Sequence, residues 1–390
     1  MESSISAGGL EGLPEDVMRV VLSHVASPWV VQARVVCKQW KRILSCSHFA
    51  RQWAARAHSI SPQDSLCLML NHREGDGDDS LSALHLPTLL CLPALLPPRS
   101  LPLAASPLGV LLLVGPSSLS LFQPLTRTAS PLPFPRLIHT PRFAALTSAS
   151  TSTCHFYLLA IGTAALSPAP FVAELYSSAT SSWAPLPSLP ALRYTAHIPR
   201  RTASLVWWKE AFYMLWGSRI VTFKPWQETT EVVATDCWGS IELPKEPRIW
   251  DARFLTLHVI KDGLFVEGNF QEQGDFQRRY PLRIGAMELE DPAKQTWKEA
   301  SFMPDSLTRR LCGRQQQPAH CFYTAYSDPL SDQICFTPFF QPAVDDEPPM
   351  AEVVLLDVSS GSWSGLSNVP AGAALFSSPT FKGLTFHASC

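Results

Sequence analysis

The spacing of apolar positions changes once along the chain. Up to about residue 50 they recur at three and four, the mark of amphipathic helices. Val17, Val20, Val21, His24 and Val25 lie on that spacing. Leu13-Pro14-Glu15-Asp16 precedes them. Proline suits a first helical position, where its missing N–H costs nothing, and the two acids favour the positive first turn. Ser27-Pro28 breaks the pattern. A second helical stretch is predicted with Val31, Val35, Val36, Cys37, Trp40, Ile43 and Leu44 on one side, and Arg34, Lys38, Lys41 and Arg42 facing away. Two short helices cannot close a large core, so a partner surface is expected to complete one. Residues 51–85 read as a linker, with Arg73-Glu74-Gly75-Asp76-Gly77-Asp78-Asp79 as solvated loop. Its acids do not make a calcium loop. Counted from Asp76, the sixth and twelfth positions, which need Gly and Glu, hold Leu81 and Pro87.

From Leu86 onward, short apolar runs alternate with Pro, Ser, Gly and Asn turns, the pattern of many short strands. Among them are Val110–Val114, Phe156–Ile161, Ala211–Trp216, Phe254–Val259 and Val353–Val358. No β-α-β alternation occurs, which disfavours a parallel α/β fold. One unit recurs: an apolar strand, a turn of small residues, then often a Trp. Leu175-Tyr176 leads to Trp183 and Leu186-Pro187; Leu355-Leu356-Asp357 leads to Trp363 and Leu366. Leu121-Phe122 leads to Leu132-Pro133 without a Trp, and weaker copies are Val221-Thr222-Phe223 with Trp226 and Met287-Glu288-Leu289 with Trp297. Aligned on Phe122, Tyr176, Phe223, Glu288 and Asp357, the copies stand 54, 47, 65 and 69 residues apart. Residues 86–390 then hold about six units of roughly 50 residues. The two longest intervals place insertions at Glu267–Arg279 and Asp305–Gln317, both polar.

Composition narrows the function classes. Proline, at 35 of 390 residues, opposes long helices. Hydrophobic residues reach 46% and charged ones only 16%, so there is enough to bury and wholesale disorder is excluded. Basic and acidic residues balance at 31 and 33, so no global field draws the chain to nucleic acid or an anionic membrane. Residues 80–200 nevertheless hold six basic residues against Glu174 alone, while 201–390 hold 17 basic and 23 acidic. Such asymmetry would discriminate charged partners. Ser80–Pro98 and Ser100–Thr126 are free of charge, but repeated prolines rule out spanning helices. The ten cysteines include no C-x-x-C pair, and Met1-Glu2-Ser3-Ser4 does not open a secretory signal, so reduced thiols in the cytoplasm or nucleus are expected.

Sites of chemistry are scarce. The eleven histidines never fall closer than ten residues apart, and no zinc, P-loop or dinucleotide spacing occurs. Cys312, Cys321 and Cys335 with His320 come nearest to a cluster and read better as strand residues or free thiols. Gly361-Ser362-Trp363-Ser364-Gly365 imitates a nucleophile elbow with Trp where the nucleophile belongs. No catalytic residue, metal or cofactor is assigned.

The first 50 residues do carry a specific signature. Leu13-Pro14-x-Asp16, Val21-Leu22 and Val35-Val36-Cys37-Lys38-x-Trp40-x-x-Ile43 resemble the F-box motif in order, spacing and type. Val25-Ala26 stands where that family usually has Leu-Pro. The strand–turn–Trp units resemble the ends of kelch blades, although the family's Gly-Gly doublet is missing after residue 9. The whole chain is thus similar to plant-type F-box/kelch-repeat proteins. The resemblance implies a small all-α F-box over 9–50 and a kelch-like β-propeller, expected with six blades, over 86–390. It implies the substrate receptor of an SCF-type ubiquitin ligase, which docks a Skp-class adaptor and through it a cullin scaffold, while the propeller holds a target protein. By the same resemblance Leu13, Pro14, Val17, Val21, Leu22, Val36, Cys37, Trp40 and Ile43 form or support the adaptor face. Catalysis would belong to other subunits. Because binding residues concentrate on loops, Arg309, Arg310 and Arg314 are the candidate target contacts. A non-degradative scaffold, or a propeller enzyme with a helical appendage, stays open as an alternative.

Overall fold

A computed structural model gives the architecture. It describes residues 13–25, most of 33–49, the strands and tight turns between 66 and 366, and 385–387; the longest intervals outside are 51–65, 190–203, 226–237, 272–281, 313–322, 339–352 and 367–384.

Helix α1 (Glu15–Leu22) starts one residue later than expected, with Pro14 as its N-cap rather than its first helical residue. Glu15 bonds Arg19 at 2.9 Å on its own helix and Arg42 at 2.5 Å on α2 (Lys38–Leu44), tying the two helices together. The second helix starts later than its apolar pattern suggests. Cys37 is extended and caps it, its Sγ accepting the Trp40 N–H at 3.4 Å. Arg34 therefore lies outside the helix. It is buried and bonds Ser45 Oγ at 2.6 Å, contrary to the expected outward-facing basic residue.

The β region is a propeller arrangement of antiparallel sheets in chain order. Blade 1 comprises β4 (Leu101–Ala105), β5 (Leu111–Val114), β6 (Leu119–Gln123) and β7 (Thr128–Leu132). Blade 2 comprises β8 (Thr140–Leu146), β9 (Tyr157–Thr163), β10 (Phe171–Ser177) and β11 (Ser182–Pro185). Blade 3 comprises β12 (Leu205–Trp208), β13 (Ala211–Trp216), β14 (Arg219–Phe223) and β15 (Trp238–Glu242). Blade 4 comprises β17 (Thr256–Ile260), β18 (Gly263–Gln271), β19 (Leu282–Asp291) and β20 (Thr296–Phe302), with β16 (Arg248–Ile249) pairing the far end of β18. Blade 5 comprises β21 (Tyr323–Ser327), β22 (Gln333–Pro338), β23 (Val353–Asp357) and β24 (Ser362–Leu366). The first strands β4, β8, β12, β17 and β21 touch one another in series, so they lie innermost.

Five consecutive blades pack in this way, against the six expected. The remaining sheet, ordered β25-β1-β2-β3, is built differently. It joins β1 (Leu66–Arg73), β2 (Asp79–His85) and β3 (Leu90–Leu92) to β25 (Thr385–His387) from the far end of the chain. Two of its strands fall in 51–85, where a linker was expected. The apolar run Leu66–Leu70 is short and sits beside a charged run, which hid it.

Inner strands are buried on both faces. In β9, Leu158 and Ala160 enter the seam with blade 1, while Leu159 and Ile161 enter the seam with blade 3. This is why such strands read as unbroken apolar runs rather than alternating ones. Outer strands carry the latch between blades. Trp183 Nε1 donates to Pro133 O at 2.7 Å, Trp238 to Pro187 O at 3.3 Å, Trp297 to Glu242 O at 3.0 Å and Trp363 to Ser301 Oγ at 2.8 Å. Each reaches back to the preceding blade. In blade 3 the tryptophan that does so is Trp238 rather than Trp226, which lies outside the described residues; a longer connection displaced it from the expected spacing. The alignment markers Phe122, Tyr176, Phe223, Glu288 and Asp357 all sit on the third strand of their blades.

Candidate functional site

The residues expected at an adaptor face divide into two sets. Leu22 and Ile43 are buried, with Met18 and Leu44, and knit α1 to α2. Cys37 and Trp40 are half-buried at the start of α2. Leu13, Pro14, Val17, Val21 and Val36 are exposed. Val20 joins them, and at i, i+3 and i+4 Val17, Val20 and Val21 form one stripe on α1, opposite Met18 and Leu22. Five of the six large apolar side chains found exposed among the described residues lie here, Val36 being 63% exposed. Scattered exposed apolar residues need no explanation, but a contiguous group does. Val20 stood on the predicted helical spacing and completes the stripe.

The two expected insertions have a different character. Asp305–Gln317 opens with helix α3 (Asp305–Cys312) instead of a loop. Leu307 and Leu311, one turn apart, bury into the seam of blades 4 and 5 with Met303, Ile334 and Phe336. Arg309 and Arg310 are exposed on the helix's outer side. Arg314 lies outside the described residues. Glu267–Arg279 opens with the end of β18, so Glu267, expected at a polar surface, is fully buried. Its neighbours Phe265, Val266 and Phe270 were the sequence signal for an interior strand.

Glu267 belongs to a polar group between blades 4 and 5. His258 on β17 and Glu267 on β18 are 2% and 0% exposed, with His258 Nε2 at 3.8 Å from Glu267 Oε2. His258 Nδ1 bonds Ser327 Oγ at 2.9 Å, and the Tyr323 hydroxyl donates to Asn269 Oδ1 at 3.1 Å. Both bonds cross the seam. Burial pushes the His258 imidazole down to about 3. Burial likewise pushes the Glu267 carboxyl up to about 8, opposed by the nearby Tyr323 hydroxyl. A second buried carboxylate is fully satisfied: Glu174 accepts the N–H groups of Arg136, Leu137 and Ile138 at 3.2, 2.9 and 3.1 Å, clamping the entry to β8. Among the described residues no three His, Cys, Asp or Glu side chains gather as a metal site.

No protein-family model matches the chain, and no curated protein is similar to it in sequence. Solved structures are similar to it in fold. A TolB protein from Agrobacterium tumefaciens is 9% identical, over 83% of this chain and 97% of that one, with TM-score 0.40. A protein of unknown function from Bacteroides caccae is 11% identical, over 83% and 99%, with TM-score 0.41. An oligogalacturonate lyase from Vibrio parahaemolyticus is 11% identical, over 79% and 80%, with TM-score 0.37. At such identities and scores these likenesses carry no argument about what this chain does.

Proposed function

We propose that the chain is the substrate-recognition subunit of an SCF-type ubiquitin ligase. It docks a Skp-class adaptor through α1 and the start of α2, and through that adaptor a cullin scaffold, and it holds a target protein on the propeller. The observation that carries this reading is the exposed apolar stripe Leu13, Val17, Val20, Val21 with Val36, on a helix pair whose inner side is already packed. Such a stripe loses free energy in water and gains it against a matching groove. The F-box resemblance, which covers Leu13, Val17, Val21 and Val36, points to the groove's owner. The chain contributes proximity: holding a target beside a conjugating enzyme raises its effective concentration. Bond-making chemistry is left to other subunits, and the His258–Glu267 pair, sealed from solvent, is assigned none.

Val17→Asp with Val21→Asp tests the reading. Both side chains are about 40% exposed, so folding is retained. Losing an interface anchor costs about 2 kcal/mol, and co-purification with a Skp-class adaptor should fall at least tenfold. Undiminished co-purification overturns the assignment. Faster turnover of a captured target separates a ligase receptor from a scaffold.

A further inference from the structure

The seam between blades 4 and 5 holds three buried polar atoms with no hydrogen-bond partner among the described residues: His258 Nε2 and both carboxyl oxygens of Glu267. Like the three other seams between consecutive blades, this one is built on an apolar cluster, here including Ile260, Phe265, Ile334 and Phe336. An unpaired charge in such surroundings is costly, and a buried carboxyl avoids it by keeping its proton. We propose that this seam is a proton-holding joint: Glu267 carries a carboxylic-acid proton beside neutral His258 at neutral pH, and losing that proton in mild alkali loosens blade 4 from blade 5.

The surroundings favour the neutral pair. At 3.8 Å, His258 Nε2 and Glu267 Oε2 are too far apart for the direct charged hydrogen bond that would repay burying two ions. Ser327 Oγ holds His258 Nδ1, and the Tyr323 hydroxyl is bonded to Asn269. Lys261 and Asp332 pair with each other at the rim, with Lys261 60% exposed. Glu288 on β19 is only half-buried, near Gly263. Cys335 on β22 is buried, and burial drives its thiol's ionisation to higher pH. None of these supplies a positive charge to Glu267.

The sign follows from proton counts. Glu267 titrates near 8 folded and near 4.5 unfolded; His258 titrates near 3 folded and near 6.5 unfolded. From about 6.5 to about 8 the folded chain alone holds the Glu267 proton, so stability falls as pH rises. From about 4.5 to about 6.5 the two groups cancel. From about 3 to about 4.5 the unfolded chain binds the extra His258 proton, so stability rises with pH.

Melting of the full chain tests the joint. The wild-type Tm should drop by a few degrees between about pH 6.5 and about pH 9, relative to Glu267→Gln. The amide in that variant mimics the protonated acid and should hold its Tm near the wild-type value at pH 6.5. Infrared difference spectra of the wild type should show the carbonyl stretch of a protonated carboxylic acid at neutral pH, bleached above about pH 8. Parallel pH profiles for both proteins, or no protonated-acid band at neutral pH, would overturn the proposal. An ion pair would instead make Glu267→Gln much less stable at neutral pH, and that result also overturns it. Adaptor binding is not involved, so the outcome is independent of the proposed function.

Discussion

Two residues before the latch tryptophan, the backbone enters the left-handed region in three blades. Ser181 (φ 51), Gln295 (φ 53) and Gly361 (φ 65) hold that place before Trp183, Trp297 and Trp363. Only glycine adopts it without strain, so Gly361→Ala should destabilise by about 1 kcal/mol. Ser181→Gly should gain a few tenths of a kcal/mol, since it removes strain but loosens the unfolded chain; chemical denaturation measures both. Asp357 opens the same turn. Partial burial would raise its carboxyl, but the Ser359 and Ser360 hydrogen bonds outweigh this and hold it below the ordinary range. A lowered carboxyl contributes stability above its unfolded titration point and loses it as pH falls through the folded one. Asp357→Asn keeps an acceptor for the turn and should flatten the loss of Tm on acidification below about pH 4.

A strand in this molecule is legible when its burial is simple. The apolar runs Leu158–Ile161 and Ala211–Trp216 are buried on both sides, so hydrophobicity alone marks them. The recurring strand–turn–Trp unit was visible because it repeats one geometric need, a latch to the previous blade. Blade 3 broke the visible spacing because its latch follows a longer connection, and no local feature marks Trp238 over Trp226. Strands β1 and β2 were missed because their pairing depends on each other and on β25, more than 300 residues away. Helix α1 and most of its outward stripe were legible through the three-and-four period, but the extended cap at Cys37 and the burial of Arg34 depend on tertiary contact. The buried pair His258 and Glu267 had no motif spacing to betray it, because two neighbouring strands of blade 4 bring it together and blade 5 supplies its Ser327 partner. At this scale the latch itself is testable. Trp183→Phe keeps an aromatic ring in the seam but removes the N–H to Pro133 O, and should cost about 1 kcal/mol. Trp183→Ala also opens a cavity beside Tyr176 and should cost about 3–5 kcal/mol. Equal losses in thermal melts of the two variants would mean that the indole N–H carries the latch without help from packing.

The two ends of the β region meet in one sheet. Leu66, Cys67 and Leu68 of β1 pair with His387, Phe386 and Thr385 of β25, while the other side of β1 pairs with β2 from Cys67 to Arg73. The N-terminal partner of β25 thus lies ahead of residue 86, where the propeller was expected to begin. Β1 is the middle strand here, so a chain beginning at residue 86 loses the strand that joins β25 to the rest and leaves β3 without β2. Unpaired strand edges are templates for association. A fragment spanning 60–390 should therefore melt cooperatively as a monomer, whereas 86–390 should elute as aggregate or melt many degrees lower, even though blades 1 to 5 are intact in both. Size-exclusion chromatography with calorimetry distinguishes the two outcomes. A soluble, cooperative 86–390 fragment would mean that the five packed blades stand without the sheet that joins the chain's ends, and that residues 66–92 belong with the helical segment rather than with the propeller.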